Sequence, residues 1–274
     1  MIVVKAGGNG IVDMQAMCAD IAELTGGGEA AQDVGSIILV HGGSHETNVI
    51  SEKLGHPARF VTSVSGVVSR YTDRETLEIF AMVTAGRINK LLVEQLQQLG
   101  VNAFGLSGLD GRLLEAERKP ALRIVENGRR KVLRGDYSGK IEKVNTALLE
   151  TLMAAGCVPV VAPLAASYKG EALNVDGDRV AAAISAALKA ETLVILSNVP
   201  GVMERFPDES SVIDHIPRAR ARHVLERYAQ GRMKKKVLGA VEALDDGVGR
   251  VIIADGRVSQ PLQRALAGEG TIIA

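Results

Sequence analysis

Short aliphatic runs alternate along this chain with longer stretches whose apolar positions repeat at helical spacing. Residues 1–5 (MIVVK), 36–40 (SIILV), 101–106, 157–162 (CVPVVA), 192–197 (TLVILS) and 250–254 (RVIIA) read as strands. Unbroken aliphatic runs of this kind suit strands buried on both faces. Residues 13–24 place Met14, Met17, Cys18, Ile21 and Ala22 on one helical stripe, which glycines 26–28 stop. Further helices are predicted over 46–54, 73–98, 145–155, 178–190, 234–244 and 260–266. Residues 56–72 and 112–139 alternate on a shorter period, and Glu126-Asn127-Gly128 in the second carries the Asn-Gly signal of a hairpin. The polar, proline-bearing stretch 203–217 reads as loop.

Strands alternating with helices imply βαβ units. The expected fold is α/β, a three-layer sandwich with a central, mostly parallel sheet and a β-hairpin beside it. A chain of 274 residues can form one large α/β unit or two lobes sharing a sheet. The pattern breaks between Pro163 and Asn174, which divides the chain into an N-terminal lobe, 1–163, and a C-terminal lobe, 164–274.

Composition narrows the function by exclusion. Basic and acidic residues number 32 each, so no global field attracts nucleic acid or a membrane, and local clusters must carry any electrostatic argument. Cys18 and Cys157 have neither disulfide-framework nor metal-ligand spacing, which points to a reducing cytosol. No apolar run approaches the roughly 20 residues that span a bilayer. The expectation is a soluble, cytoplasmic protein.

Four predicted strands end in small or polar residues: Lys5-Ala6-Gly7-Gly8, His41-Gly42-Gly43-Ser44, Leu106-Ser107-Gly108 and Ser197-Asn198-Val199-Pro200-Gly201. In doubly wound sheets ligands sit beyond the carboxyl ends of the strands, and glycines let backbone N–H groups close on an anion. Any one of these could be an ordinary turn; together they suggest a shared crevice. Neither a phosphate-binding G-x-x-x-x-G-K-[ST] loop nor a dinucleotide G-x-G-x-x-G turn is present. Lys5 is either a solvated strand end or a cation aimed into the crevice. Lys236 lies in Gly231-Arg232-Met233-Lys234-Lys235-Lys236, a run that is either a solvated helix face or a source of charge for phosphoryl transfer. The carboxylates of Asn174-Val175-Asp176-Gly177-Asp178 suit a helix N-cap, or an anion that fixes the two lysines.

In this order, Val4-Lys5-Ala6-Gly7-Gly8, Val40-His41-Gly42-Gly43, Asn174 to Asp178, Leu196 to Val202 and Gly231 to Val237 resemble the amino-acid kinase family, in its acetylglutamate kinase branch. The resemblance spans nearly the whole chain and implies the carbamate-kinase-like fold, with ATP and Mg²⁺ as the phosphoryl donor system. It implies that Lys5 and Lys236 stabilise the transferring phosphoryl group and that Asp178 organises them. Gly8, Gly42, Gly43 and Ser44 would bind phosphate or substrate backbone, and Arg70 and Asn174 the substrate's α-carboxylate and amide. Ser197, Asn198, Val199, Gly201, Val202, Gly231 and Met233 would contact the nucleotide. The family's nucleotide strand often ends Thr-Asp, whereas Ser197-Asn198 carries no charge.

The second glycine motif continues as Ser44-His45-Glu46-Thr47-Asn48 rather than as a third glycine. That form, with the segments Ser69 to Arg74, Gly105 to Arg112 and Arg134-Gly135-Asp136-Tyr137-Ser138-Gly139, looks like the branch whose substrate, α-aminoadipate or glutamate, is attached through its amine to a small acidic carrier protein of lysine, and sometimes arginine, biosynthesis. A protein-borne substrate needs a complementary surface, and Arg112, Arg118, Lys119, Arg123, Arg129, Arg130, Lys131 and Arg134 crowd the predicted hairpin. The alternatives are an N-acetyl-L-glutamate 5-kinase, acting on a free acylated amino acid, and a catalytically silent sensor. The short N-terminus, beginning at the first strand, implies by resemblance a homodimer.

Overall fold

In the computed structural model of the chain, the described residues are 1–8, 10, 12–26, 36–64, 66, 68–126, 128–228 and 231–274, with backbone alone at 225, 231, 232 and 235. The elements run β1 (Ile2–Ala6), α1 (Met14–Thr25), β2 (Ile37–His41), α2 (Ser44–Lys53), β3 (Phe60–Ser63), β4 (Val68–Arg70) and α3 (Arg74–Ala81). A π-helical segment (Met82–Ile88) carries α3 into α4 (Asn89–Gln98), so the predicted helix over 73–98 is continuous but changes phase midway. Next come β5 (Ala103–Ser107), β6 (Leu114–Arg118), β7 (Leu122–Glu126), β8 (Arg129–Leu133), β9 (Gly139–Val144), α5 (Thr146–Ala154), β10 (Val158–Ala162), β11 (Leu164–Ser167) and β12 (Ala172–Asn174). The chain finishes with α6 (Gly177–Ala187), β13 (Thr192–Ser197), β14 (His215–Ile216), α7 (Arg218–Arg227), α8 (Gly231–Asp245), β15 (Arg250–Asp255), α9 (Pro261–Leu266) and β16 (Thr271–Ile273). Gly27, Gly28 and Asn127, which the sequence marks as a helix stop and a hairpin tip, lie outside the described residues.

Eight strands form the central sheet, in the order β14-β16-β15-β13-β1-β2-β10-β5. All its pairings are parallel except β15 with β16. Alternate residues on its strands feed two cores. Val3, Ile38, Leu193 and Ile253 pack with α5, α6, α7 and α8, while Ile2, Val4, Leu39 and Ile252 pack with α1, α4 and α9. Burial on both faces explains why these strands read as unbroken aliphatic runs. The three-layer α/β sandwich is as expected.

Beside it stand two four-stranded sheets, β12-β11-β6-β9 and β4-β3-β7-β8. The stretch 112–139 is therefore not one hairpin unit. Arg118 ends β6 in the first small sheet, whereas Arg123, Arg129, Arg130 and Lys131 belong to the β7–β8 hairpin in the second. Residues 164–174, which break the sequence pattern, form the antiparallel β11–β12 pair. Helix α7 (RARARHVLER) escaped prediction because its apolar positions are few among five charged residues, with Ala221 and Val224 buried.

Candidate active site

β1 is the switch point of the central sheet: β2 lies on one side and β13, far later in sequence, on the other. A crevice opens at such a reversal, beyond the carboxyl ends of the strands. Three of the four predicted strand ends meet there. The fourth does not: β5 is at the sheet edge, three strands from β1, and Gly108 answers to packing. A Cβ on Gly108 would lie 2.0 Å from the Leu164 carbonyl oxygen, and Ser107 turns inward through bonds to Asp110.

At the end of β1 the side chain of Lys5 projects to the face covered by α6. It meets Asp178 there, with Nζ 2.6 Å from Oδ1. Lys236, from the second turn of α8, reaches the same carboxylate, with Nζ 3.1 Å from Oδ2. Both lysines are buried. Burial alone would raise the Asp178 pKa, but the charges and hydrogen bonds of Lys5 and Lys236 prevail and hold it well below the usual carboxylate range. Burial and then the neighbouring Lys5 push Lys236 down to about 8, against the pull of Asp178. Two cations share one anion, so the cluster keeps a net positive charge in a poorly solvated place. The capping role falls to Asp176, whose Oδ1 accepts from the Asp178 and Arg179 amides at 2.9 and 3.2 Å. The two readings of this segment are both realised, by different carboxylates.

The glycine turns of β1 and β2 interlock. A Cβ on Gly8 would lie 2.5 Å from Gly43 N, and one on Gly42 would lie 2.7 Å from Gly8 N, so only glycine allows the two backbones to touch. The amides of Gly8 and Gly43 donate to no acceptor among the described residues. Paired free N–H groups next to a buried cation cluster suit an anion. Ser44 begins α2, and both its carbonyl and its hydroxyl accept from Arg70 Nη2, at 3.1 and 3.3 Å. Arg70 is buried under the Phe60 ring, 5.4 Å away, and its Nη1 is buried without a partner. Asn174 donates through Nδ2 to Thr72 Oγ1 at 2.9 Å. Thr72 N in turn donates to buried Asp136 at 2.9 Å, whose other oxygen accepts from Ser138 N at 3.0 Å and from the Ser138 hydroxyl.

On the far side of β1, Ser197 O accepts from Gly256 N at 2.7 Å, which ties the β13 and β15 ends together. Val202 N donates to Thr271 Oγ1 at 2.8 Å, and Gly201 leaves room for that threonine. Asn198 and Val199 are half-buried, and half-buried Met233 packs on the core where α8 begins at Gly231. The remaining residues are supports: Asn89, Thr271 and Gly256, which sequence reasoning missed, and Thr72 and Asp136, which lie in segments of the family resemblance but to which the sequence assigned no role. Asn89 had a signal, being a polar residue three before Leu92 and seven before Leu96 on a buried helical stripe.

Next to the substrate side, cross-strand partners of the β4-β3-β7-β8 sheet define one open face. It holds Phe60 and Arg70, Thr62 with Val68 and Val125, and the pairs Arg123–Val132 and Val125–Arg130. Phe60, Val68, Val125 and Val132 are exposed there. Arg129 and Lys131 alternate to the opposite face, Lys131 pairing with Glu126, and Arg118 is engaged by Glu171 at 2.7 Å and stacked on Tyr137 at 3.6 Å. Lys119, Arg123, Arg129, Arg130 and Arg134 have no ion pair among the described residues.

Residues 1–255 match the amino acid kinase family. The chain is 58% identical over 273 residues to a LysW-aminoadipate kinase of Deinococcus radiodurans, covering 100% of this chain and 91% of that protein. It is 54% identical over 274 residues to a LysW-aminoadipate kinase of Thermus thermophilus, covering 100% of both. Among solved structures, an N-acetylglutamate synthase of Neisseria gonorrhoeae, complexed with coenzyme A and N-acetyl-glutamate, superposes with a TM-score of 0.79 at 27% identity. That match covers 100% of this chain, which spans 59% of the synthase's length.

Proposed function

This chain belongs to the amino acid kinase family, and from that premise we propose that it is an ATP-dependent phosphotransferase acting on the side-chain carboxylate of 2-aminoadipate borne by a small acidic carrier protein. The observation that carries the reading is the buried Lys5–Asp178–Lys236 cluster at the switch point, where net positive charge faces paired free amides. A carboxylate oxygen of the substrate attacks the γ-phosphorus of ATP, the bond to the β–γ bridging oxygen breaks, and ADP leaves with that electron pair. The product is an acyl phosphate. No general base is needed, because a carboxylate is ionised at pH 7.

Catalysis of this kind consists of positioning and charge stabilisation. Lys5 and Lys236 stabilise the oxygens of the transferring group, and Asp178 keeps the two ammonium groups side by side. Gly8, Gly42, Gly43 and Ser44 cradle the anion, while the unpartnered Nη1 of Arg70 and the amide of Asn174 hold the substrate. Ser197, Asn198, Val199, Gly201, Val202, Gly231 and Met233 form the nucleotide side, so 1–163 handles chiefly the acyl substrate and 164–274 chiefly ATP. Both Asp178 oxygens are occupied by lysines, so Mg²⁺ would ride on the nucleotide's phosphate oxygens and water, as this ion commonly does.

The relatives' names supply the carrier. The open face of the β4-β3-β7-β8 sheet supports it, since it runs from Arg70 past exposed apolar residues to Arg123 and Arg130, which have no ion pair among the described residues. Arg130, with Arg123, is the sharper choice for docking; Arg129 and Lys131 face away and Arg118 is already paired. Attachment through the amine prevents the acyl phosphate from cyclising onto it. Two further parts of the reading are a cytoplasmic setting and a homodimer, the latter favoured by exposed Met82, Leu91 and Phe104 next to the sheet edge. Glutamate in place of aminoadipate changes one methylene, worth about 1–3 kcal/mol in a pocket.

A coupled ADP-release assay tests the proposal. Carrier-bound aminoadipate should support turnover, and free N-acetyl-L-glutamate should not. Turnover with acetylglutamate alone would replace the carrier reading with an N-acetyl-L-glutamate 5-kinase.

A further inference from the structure

The second glycine turn is held by a buried pair to which the mechanism above gives no role. His41 ends β2 and is fully buried. Its Nε2 lies 3.2 Å from Asn89 Nδ2, and Asn89 comes directly after the π-helical segment. The same amide nitrogen donates to Val160 O at 2.8 Å, with Leu106 O a longer 3.4 Å away. A carbonyl oxygen only accepts, so the Asn89 atom facing these groups is the NH₂, and Nε2 of His41 must accept. The Asn89 oxygen, buried without a partner, packs against Gly105, where a Cβ would come within 2.2 Å of it. Flipping the amide would set that oxygen against the Val160 carbonyl.

An imidazole that accepts at Nε2 carries its single proton on Nδ1. That nitrogen is 3.0 Å from Gly42 O, so it donates to the carbonyl of the glycine turn. Burial drives the His41 pKa down to about 4, against the pull of the Gly42 bond and with some help from Lys5, so the ring is neutral at pH 7. Gly42 N is separately tied to Ala6 O at 3.0 Å, and Gly43 O accepts from Thr47 N and Thr47 Oγ1 at 2.9 and 2.8 Å. Once the Gly42 carbonyl is fixed, planarity of the peptide sets the direction of the Gly43 N–H. That N–H is one of the two free amides of the crevice.

We propose that His41, locked in its Nδ1–H tautomer by Asn89, is a positioning residue that aims the Gly43 N–H at the anion handled in the crevice. The inference rests on the reading of the glycine turns as the anion cradle. Asn89 thereby couples the phase of the long helix to the geometry of the turn.

Two substitutions separate the ring nitrogens. His41→Asn places an amide NH₂ near the Nδ1 position and can still hold the Gly42 carbonyl. His41→Gln reaches the Nε2 position and serves Asn89 alone. We expect H41N to keep kcat within about threefold and H41Q to lose about a hundredfold at unchanged nucleotide KM, since small misplacement at a reacting centre costs that much. Equal kcat in the two variants, or full kcat in H41Q, overturns the proposal. Nitrogen-15 NMR of the intact wild-type protein gives a second reading, independent of turnover and of how well the variants fold. His41 should show a protonated Nδ1 and a bare Nε2 at pH 7, and an Nε2–H tautomer or a cation there overturns the proposal. A wild-type enzyme that phosphorylates no carboxylate would defeat the functional reading while leaving the NMR result to stand or fall alone.

Discussion

A Cβ on Gly8 would sit 2.5 Å from the amide nitrogen of Gly43, and real side chains never approach a backbone nitrogen so closely. The turns after β1 and β2 are thus one unit, built by two strands that pair in register from Ile2–Ile37 to Ala6–His41. Gly8→Ala must push the turns apart and separate the two free amides. We expect kcat/KM to fall by about a hundredfold or more, with a smaller loss of thermal stability. Steady-state kinetics beside a melting curve checks this, and wild-type kinetics in G8A would remove the turn from the site.

Lys5 and Lys236 share Asp178 but should not be redundant, because each meets a different carboxylate oxygen most closely. Lys5→Ala and Lys236→Ala are each expected to lower kcat by about 10²–10³-fold, the usual effect of removing one preorganised donor. Calorimetry should still detect nucleotide binding in both. Wild-type turnover in the two variants would sink the assignment.

The depressed pKa of Lys236, about 8, makes activity and stability respond oppositely to alkali. Activity needs the ammonium form, so kcat/KM, which reports the free enzyme, should decline above pH 8. A bound polyphosphate favours the charged form, so kcat itself should hold to higher pH. For stability, the unfolded lysine near 10.5 binds more protons than the folded one between pH 8 and 10.5. This group's contribution to unfolding free energy therefore rises across that window. Matching declines of kcat/KM and of the Lys236-dependent stability, taken as the difference from K236M, would contradict the assignment.

Much of this was legible because buried parallel strands and glycine turns leave local marks. The aliphatic runs of β1, β2, β10, β13 and β15 stand out since both faces are covered, and Gly7-Gly8 and Gly42-Gly43 stand directly at their ends. Pairing order was not legible, and without it the turn at Ser107-Gly108 looked equivalent to the other three. Its glycine serves the Leu164 carbonyl, a contact between residues distant in sequence. The supports escaped for the same reason: Thr72 matters only because Asp136 and Asn174 converge on it. Arg118 and Arg130 look alike in a basic stretch, and only sheet membership separates an arginine paired with Glu171 from one with no ion pair among the described residues.

Asp136 offers a test of that support. Its Oδ1 accepts from Thr72 N, and its Oδ2 accepts from Ser138 N and from the Ser138 hydroxyl. Asp136→Asn replaces one acceptor with a donor and leaves a buried N–H unpaired, at a stability loss of about 1–3 kcal/mol. Because Thr72 Oγ1 holds Asn174, KM for the acyl substrate should rise about tenfold while KM for ATP stays level. An equal rise in both would make Asp136 a general fold support instead.

Arg123 and Arg130 lie on the open face that leads to Arg70, whereas Lys131 lies on the opposite face and is paired with Glu126. If an acidic carrier docks across the open face, reversing both charges (R123E with R130E) should repel it. Charges at such a rim act mainly on encounter and on salt dependence. KM for the carrier-bound substrate should therefore rise by about tenfold or more, with kcat at saturation and KM for ATP near wild type. Wild-type KM for that substrate should climb as salt shortens the Debye length below about 10 Å, and the double variant should lose this dependence. Lys131→Glu supplies the contrast, since it reverses one charge on the other face of the same hairpin and should move KM far less than R123E or R130E alone, each of which reverses one charge on the open face. If K131E raises KM as much as either of those single variants, docking follows the hairpin's overall charge and not the open face. If no variant changes KM, the carrier approaches the site from elsewhere.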